Sequence, residues 1–211
     1  MRLRLSVSVA ILIGMAAAAG LASVPRGGDA FAFVNGVPIS RDQYEEYAAV
    51  LEGDGARSVP PWQVLQSLVN QRLALQEARE RGYAVTDAEV ATAMNEMTGA
   101  GVSVDMVGGA SGRDAFRERI RVRLLFERVK AAITESVVVS DEDIRAYLDR
   151  AAALYQGVDW PDAKAEVEPA VRQELVDKVW SDWLAGKRFC STITILVPVE
   201  LPTASPTQTC P

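Results

Sequence analysis

Histidine is missing from all 211 residues of the chain. Its absence removes the side chain that most often acts as a general base near neutral pH and most often ligates a metal. Ser–His–Asp and Cys–His catalysis are excluded with it. Cysteine is scarce too: Cys190 and Cys210 are the two present, too few without histidine to close a structural zinc site. Neither a Walker-type phosphate loop nor a dinucleotide-binding glycine pattern occurs. Basic residues are outnumbered, with 22 Lys and Arg against 28 Asp and Glu for a net charge of −6. Loss of Arg2 and Arg4 with a leader would leave 20 against 28, or −8. Such a surface repels phosphate backbones, which argues against nucleic acid as a partner. A carboxylate-only enzyme is left, but no pair of acids stands apart from solvated helix faces. No catalytic residue, metal ligand or cofactor is therefore assigned.

With 49% hydrophobic and 24% charged residues the chain can bury one core of useful size. Arg2 and Arg4 precede an apolar run over residues 5–24, broken only by serines and glycines. This is the layout of a secretory leader, and residues 1–22 are expected to be a signal peptide cut near Ala22. The run is also long enough to span a bilayer, so an uncleaved N-terminal membrane anchor is the rival reading. No cysteine follows it to carry a lipid. Either way the body is placed outside the cytoplasm, in the periplasm or cell envelope. Residues 23–30 read as a linker, 31–197 as the folded domain and 198–211 as a Pro/Thr-rich tail. In an oxidising compartment two cysteines favour a Cys190–Cys210 disulfide, which would tie that tail back; two unpaired thiols at a frayed end are the alternative.

The folded part reads as mainly α: a helical bundle with a small β element. Asn35-Gly36 sits between the apolar stretches 31–34 and 37–39, the composition of a tight hairpin. Ile193, Ile195 and Val197 alternate with Thr192, Thr194 and Leu196 as in a strand. Two isolated strands are marginal alone, so the N-terminal hairpin and the late strand are expected to pair. Three helix starts share one grammar, an apolar residue and then a hydroxyl N-cap: Ile39-Ser40, Val85-Thr86 and Val139-Ser140. Gln43 and Glu89 complete capping boxes, and Tyr44, Val90 and Ile144 stand where a hydrophobic staple closes. A helix is expected from Pro61 to Gly82 with Trp62, Leu65, Val69 and Leu73 on its core stripe. Residues 114–133 carry apolar residues on two opposite faces, which predicts a centrally packed helix. The last long helix, up to Gly186, should be kinked at Pro169 or begin there.

In this order the elements resemble the N-terminal chaperone domain of the SurA/PrsA-like extracytoplasmic foldases. The resemblance is carried by FVNGVPIS at 33–40, by 65–85 with its QRLALQEA core and Gly82, and by VTDAEV at 85–90. FRERIRVRLL at 116–125, VSDEDIRAY at 139–147 and the Trp-bearing terminal helix and strand continue it. It implies one chaperone module closed by the two ends of the domain. Many members of the family insert a parvulin-type prolyl isomerase domain before the returning helix. Here the corresponding place, YQGVDW at 155–160, is too short for a folded domain.

A holding chaperone needs an adaptable apolar surface, and Met repacks readily against differently shaped clients. Met94, Met97 and Met106, with Val102, Val104 and Val107, flank or occupy the Gly/Ser-rich segment 98–112. These six are the candidate client-binding residues; the alternative is a surface loop whose methionines pack inward. Trp180 and Trp183 could anchor a client or clamp their helix onto the bundle. The expected partners are unfolded or exported polypeptides, held without ATP or a cofactor and without a catalysed reaction. The competing readings are a prolyl isomerase, by family association, and a membrane-tethered assembly or scaffold subunit.

Overall fold

The computed structural model describes residues 30–52, 59–99, 109–155 and 157–196. It is mainly α. Strands β1 (Ala30–Val34) and β2 (Val37–Ser40) lead into helices α1 (Arg41–Glu52), α2 (Pro61–Glu80), α3 (Asp87–Gly99) and α4 (Gly109–Thr134). Helix α5 (Asp141–Arg150), a short 3-10 turn at Ala152–Leu154, helix α6 (Trp160–Phe189) and strand β3 (Ile193–Ile195) follow. The sheet order is β2-β1-β3 and both pairings are antiparallel.

The hairpin turn is of the tightest kind. Asn35 and Gly36 both have positive φ, 50° and 77°, so the turn twists with the strands that it joins. Val34 faces Val37 directly across it. A bulge at Phe31 breaks the register between Ala30 and Ala32, and a bulge turns consecutive residues toward one side. Ala30, Phe31 and Ala32 are accordingly all buried. Pro38, which has no N–H to give a ladder, sits on the edge strand where none is needed.

All three hydroxyl N-caps are in place. Gln43 N donates to Ser40 Oγ at 3.1 Å while Ser40 N donates to Gln43 Oε1 at 3.0 Å. Thr86 and Glu89 reciprocate in the same way. At α5 the box is completed by Asp143, a shorter side chain than the Glu or Gln of the usual motif. Helix α2 ends in two backward hydrogen bonds, Gly82 N to Arg79 O at 3.0 Å and Tyr83 N to Ala78 O at 2.8 Å. That pattern needs a left-handed residue after the cap, and Gly82 has φ 68°.

Helix α2 is the hub. Leu65, Leu68, Val69 and Leu73 bury one side of it against Phe31, Ala32, Val34 and Ile39 of the sheet. Ala74 and Ala78 bury another side against Val129 of α4 and Trp180 and Leu184 of α6. Of the expected stripe, Trp62 is only half-buried, while Val64 and Leu68 lie in the core. The two apolar faces of α4 both find partners: Phe116 and Ile120 pack with Val90 of α3, Phe126 and Val129 with α2 and α6. Helix α4 also starts earlier than its periodicity predicts, at Gly109.

Helix α6 does not start at Pro169, one of the two outcomes expected there, and it does not stop at Gly186 but runs on to Phe189. It begins at Trp160 with Pro161 in its first turn and continues through Pro169. The ring costs one backbone bond, yet Val167 and Val171 on either side are buried, and their packing holds the helix through the defect. Thirty residues make it about 45 Å long. Its first half packs with α5 around Ile144, Val167 and Val171, and its second half joins the central cluster. The α5–α6 pair is thus an arm with a small core of its own, tied by Lys164–Asp141 at 2.6 Å and Arg150–Glu174 at 2.7 Å.

Candidate functional site

The two ends of the described fold meet at Asn35. Its backbone N donates to Thr192 O at 2.8 Å, and its Oδ1 accepts from Thr192 N at 2.9 Å. Its Nδ2 donates to Gln76 Oε1 at 2.8 Å and to Ser191 Oγ at 3.3 Å, 156 positions away in sequence. Gln76 in turn donates to Val34 O at 3.1 Å. A residue chosen for its turn conformation therefore also joins the hairpin to α2 and to the segment after α6.

Beside this junction lies a cleft of about 330 Å³ between α2 and the last turns of α6. Leu73 and Trp183 form its apolar part, and Asn35, Gln76 and Ser191 its polar rim. Glu77, Glu80 and Lys187 bring charge to it. Glu77 is 6% exposed; its Oε1 accepts from Arg81 Nε at 2.5 Å. Its Oε2 forms an ion pair with Lys187 Nζ. Burial alone would push the Glu77 carboxyl up, but Lys187 and Arg81 outweigh it and hold the group below its usual range. Glu80 lies on the rim, 68% exposed and 3.8 Å from the same ammonium. Trp183 stacks on Trp180 at 4.9 Å with the ring planes 13° apart, and Phe126 meets Trp180 edge-on at 5.2 Å. Trp180 is buried and fastens α6 to the bundle, whereas Trp183 is half-buried and faces the cleft.

The sequence candidates lie elsewhere. Met94 and Met97 are on α3, half-buried against Val90, Phe116 and Ile120. Val102, Val104, Met106 and Val107 lie outside the described residues, as do residues 5–24. Cys190 caps the C-terminus of α6, lines the cleft and is disulfide-bonded, while Cys210 lies outside the described residues. The acidic start of α5 is taken up locally: Asp143 caps the helix and Asp141 pairs with Lys164. Among the described residues no group of acids or cysteines could hold a metal ion, and no helix is long and apolar enough to cross a membrane.

The cleft itself was not read from sequence. Asn35 had a sufficient role in its turn, and nothing in the sequence sets Glu77, Glu80 and Lys187 apart from other charged residues. Gly186 reads in sequence as the end of its helix, and α6 instead continues through it to Phe189.

The fold is that of a mainly helical protein closed by a small antiparallel sheet drawn from both ends of its described part. No family model matches the chain. The chain is similar to the foldase protein PrsA of Caldanaerobacter subterraneus subsp. tengcongensis, at 29% identity over 141 residues. That alignment covers 58% of this chain and 42% of the relative, so it spans less than half of the relative's length. The resemblance supported by the comparison is to a PrsA-type foldase.

Proposed function

We propose that this protein is an ATP-independent, extracytoplasmic chaperone that holds unfolded or exported polypeptides and catalyses no reaction. The observation that carries the reading is the partial similarity to a foldase, a protein named for assisting folding. The architecture is compatible with it. Separate small cores in the α3–α4 and α5–α6 pairs let helical arms adjust without unfolding the hub. Large apolar side chains are exposed at Val138, Leu154 and Val158 around α5 and at Phe189 and Leu196 beside the sheet. Shallow apolar contacts of this kind accept many sequences, and the acidic surface around them keeps the complex soluble.

On this reading no prolyl isomerase domain is inserted at residues 155–160. Residues 1–22 serve as export signal or anchor, and Cys190 pairs with Cys210. The test is aggregation of a chemically denatured client, followed by light scattering. Suppression is expected near a one-to-one ratio, and no suppression at about tenfold excess refutes the function. Acceleration of proline isomerisation in proportion to protein concentration would replace the holding function with an enzymatic one.

A further inference from the structure

Gly186 has no structural reason to be glycine. It lies inside α6, it is not among the residues with positive φ, and a Cβ built on it meets nothing within 4 Å. Glycine in a helix interior is nevertheless unfavourable relative to alanine. Gly186 lines the cleft together with Leu73 and Trp183. A missing side chain on such a wall permits close approach by something from outside the protein.

The charges indicate what approaches. Lys187 is taken up by Glu77, which leaves the rim carboxylate of Glu80 with only a distant contact at 3.8 Å. Arg81 and Lys187 both engage Glu77, so the cluster with Glu80 is neutral as a whole and the carboxylate with capacity to spare is that of Glu80. The chain as a whole carries −6. A cationic group is therefore favoured over an anionic one. Lys187 also shows how an ammonium is received here, with Nζ 5.6 Å from the Trp183 ring centroid and in contact with a carboxylate. The apolar part and open wall fit an alkyl stem.

We propose that the cleft between α2 and the end of α6 is a client subsite for a basic side chain, Lys or Arg, of an extended polypeptide. The stem lies along Gly186 and Leu73, and the charged head meets Glu80. This deepens the chaperone reading and rests on it.

The test uses the full chain, labelled with ¹⁵N, and the peptide acetyl-Ala-Ala-Lys-Ala-Ala-amide. Counterparts carrying norleucine or glutamate in place of lysine serve as comparisons. The lysine peptide is expected to shift the Trp183 indole N–H and the Gly186 and Ser191 amides saturably. Glu80→Gln should weaken it about threefold, the size of a rim ion pair, and leave the norleucine peptide unchanged. Gly186→Ala should raise Tm by about 2 °C while weakening the lysine peptide, opposite directions that a purely structural glycine would not produce. Equal binding of the norleucine and lysine peptides, or unaltered lysine-peptide binding by Gly186→Ala, overturns the assignment. The two readings fail separately. If the wild-type chain suppresses client aggregation but the lysine peptide leaves these resonances unmoved, the subsite is wrong and the chaperone function stands. If it fails to suppress aggregation, the chaperone function falls.

Discussion

Replacing Asn35 tests whether the two ends of the fold hold each other. Asn35→Ala removes two well-formed but exposed side-chain hydrogen bonds, to Thr192 N and Gln76 Oε1. Each contributes about 0.5 kcal/mol, the low end of the range because water competes for both groups. The 3.3 Å contact to Ser191 adds little. Alanine must also hold φ near 50°, a conformation that asparagine tolerates and alanine adopts at a cost of about 1 kcal/mol. The sum is about 2 kcal/mol; with a urea m-value of about 2 kcal/mol/M, the midpoint should fall by about 1 M. Asn35→Gly loses the same bonds without the backbone strain and should fall by only about half as much. Urea titrations followed by far-UV circular dichroism give both midpoints. Hydrogen exchange should show the Leu196 amide, which donates to Phe31 O at 3.0 Å, opening faster in both variants. A midpoint for Asn35→Ala indistinguishable from wild type would refute the closure argument. Equal losses in the Ala and Gly variants would refute the role given to φ.

Ile144→Ala should cost about 3 kcal/mol, because Ile144 is 1% exposed in the small core of the α5–α6 arm. Hydrogen exchange should locate that loss in α5 and leave β1 protected; uniform loss across the fold would show that the arm is not a separate unit. Pro169→Ala should restore a backbone bond at an exposed position inside α6. A gain of about 1–3 kcal/mol is expected, and calorimetry showing no rise in Tm would contradict it. Glu89 is held down to about 2 by the Thr86 backbone N–H first, then the Thr86 hydroxyl, then Arg128. Its folded value lies below the usual 4.5, so its stabilising effect is full above that value and is lost as the pH falls toward 2. A carboxyl ¹³C titration should place its midpoint near the lower value, and Glu89→Gln should flatten the acid limb of stability in this window. A midpoint near 4.5 would show that the cap is not formed in solution.

The parts of this fold that could be read from sequence are those decided within a few residues. The Asn35-Gly36 turn, the three hydroxyl N-caps and the glycine stop at Gly82 each depend on hydrogen bonds or φ values within about one helical turn, so composition at fixed offsets reveals them. The pairing of the late strand with the hairpin was also inferable, because two orphan strands each need a partner. Which of the two outcomes held at Pro169, a helix passing through it or one beginning there, was not. It depends on burying Val167 and Val171 against Ile144 of another helix, a gain that local propensity does not contain. Met94 and Met97 were readable only as apolar residues flanking the Gly/Ser-rich segment 98–112, and their placement against Phe116 came with the packing of α3 on α4. The cleft lies furthest from sequence. Its rim is joined by residues as distant as Asn35 and Ser191, 156 positions apart, and Arg188 reaches Asn70 across 118. Charges such as Glu77 and Lys187 are indistinguishable from solvated surface residues until two helices are laid side by side, because burial and pairing are properties of the assembled fold.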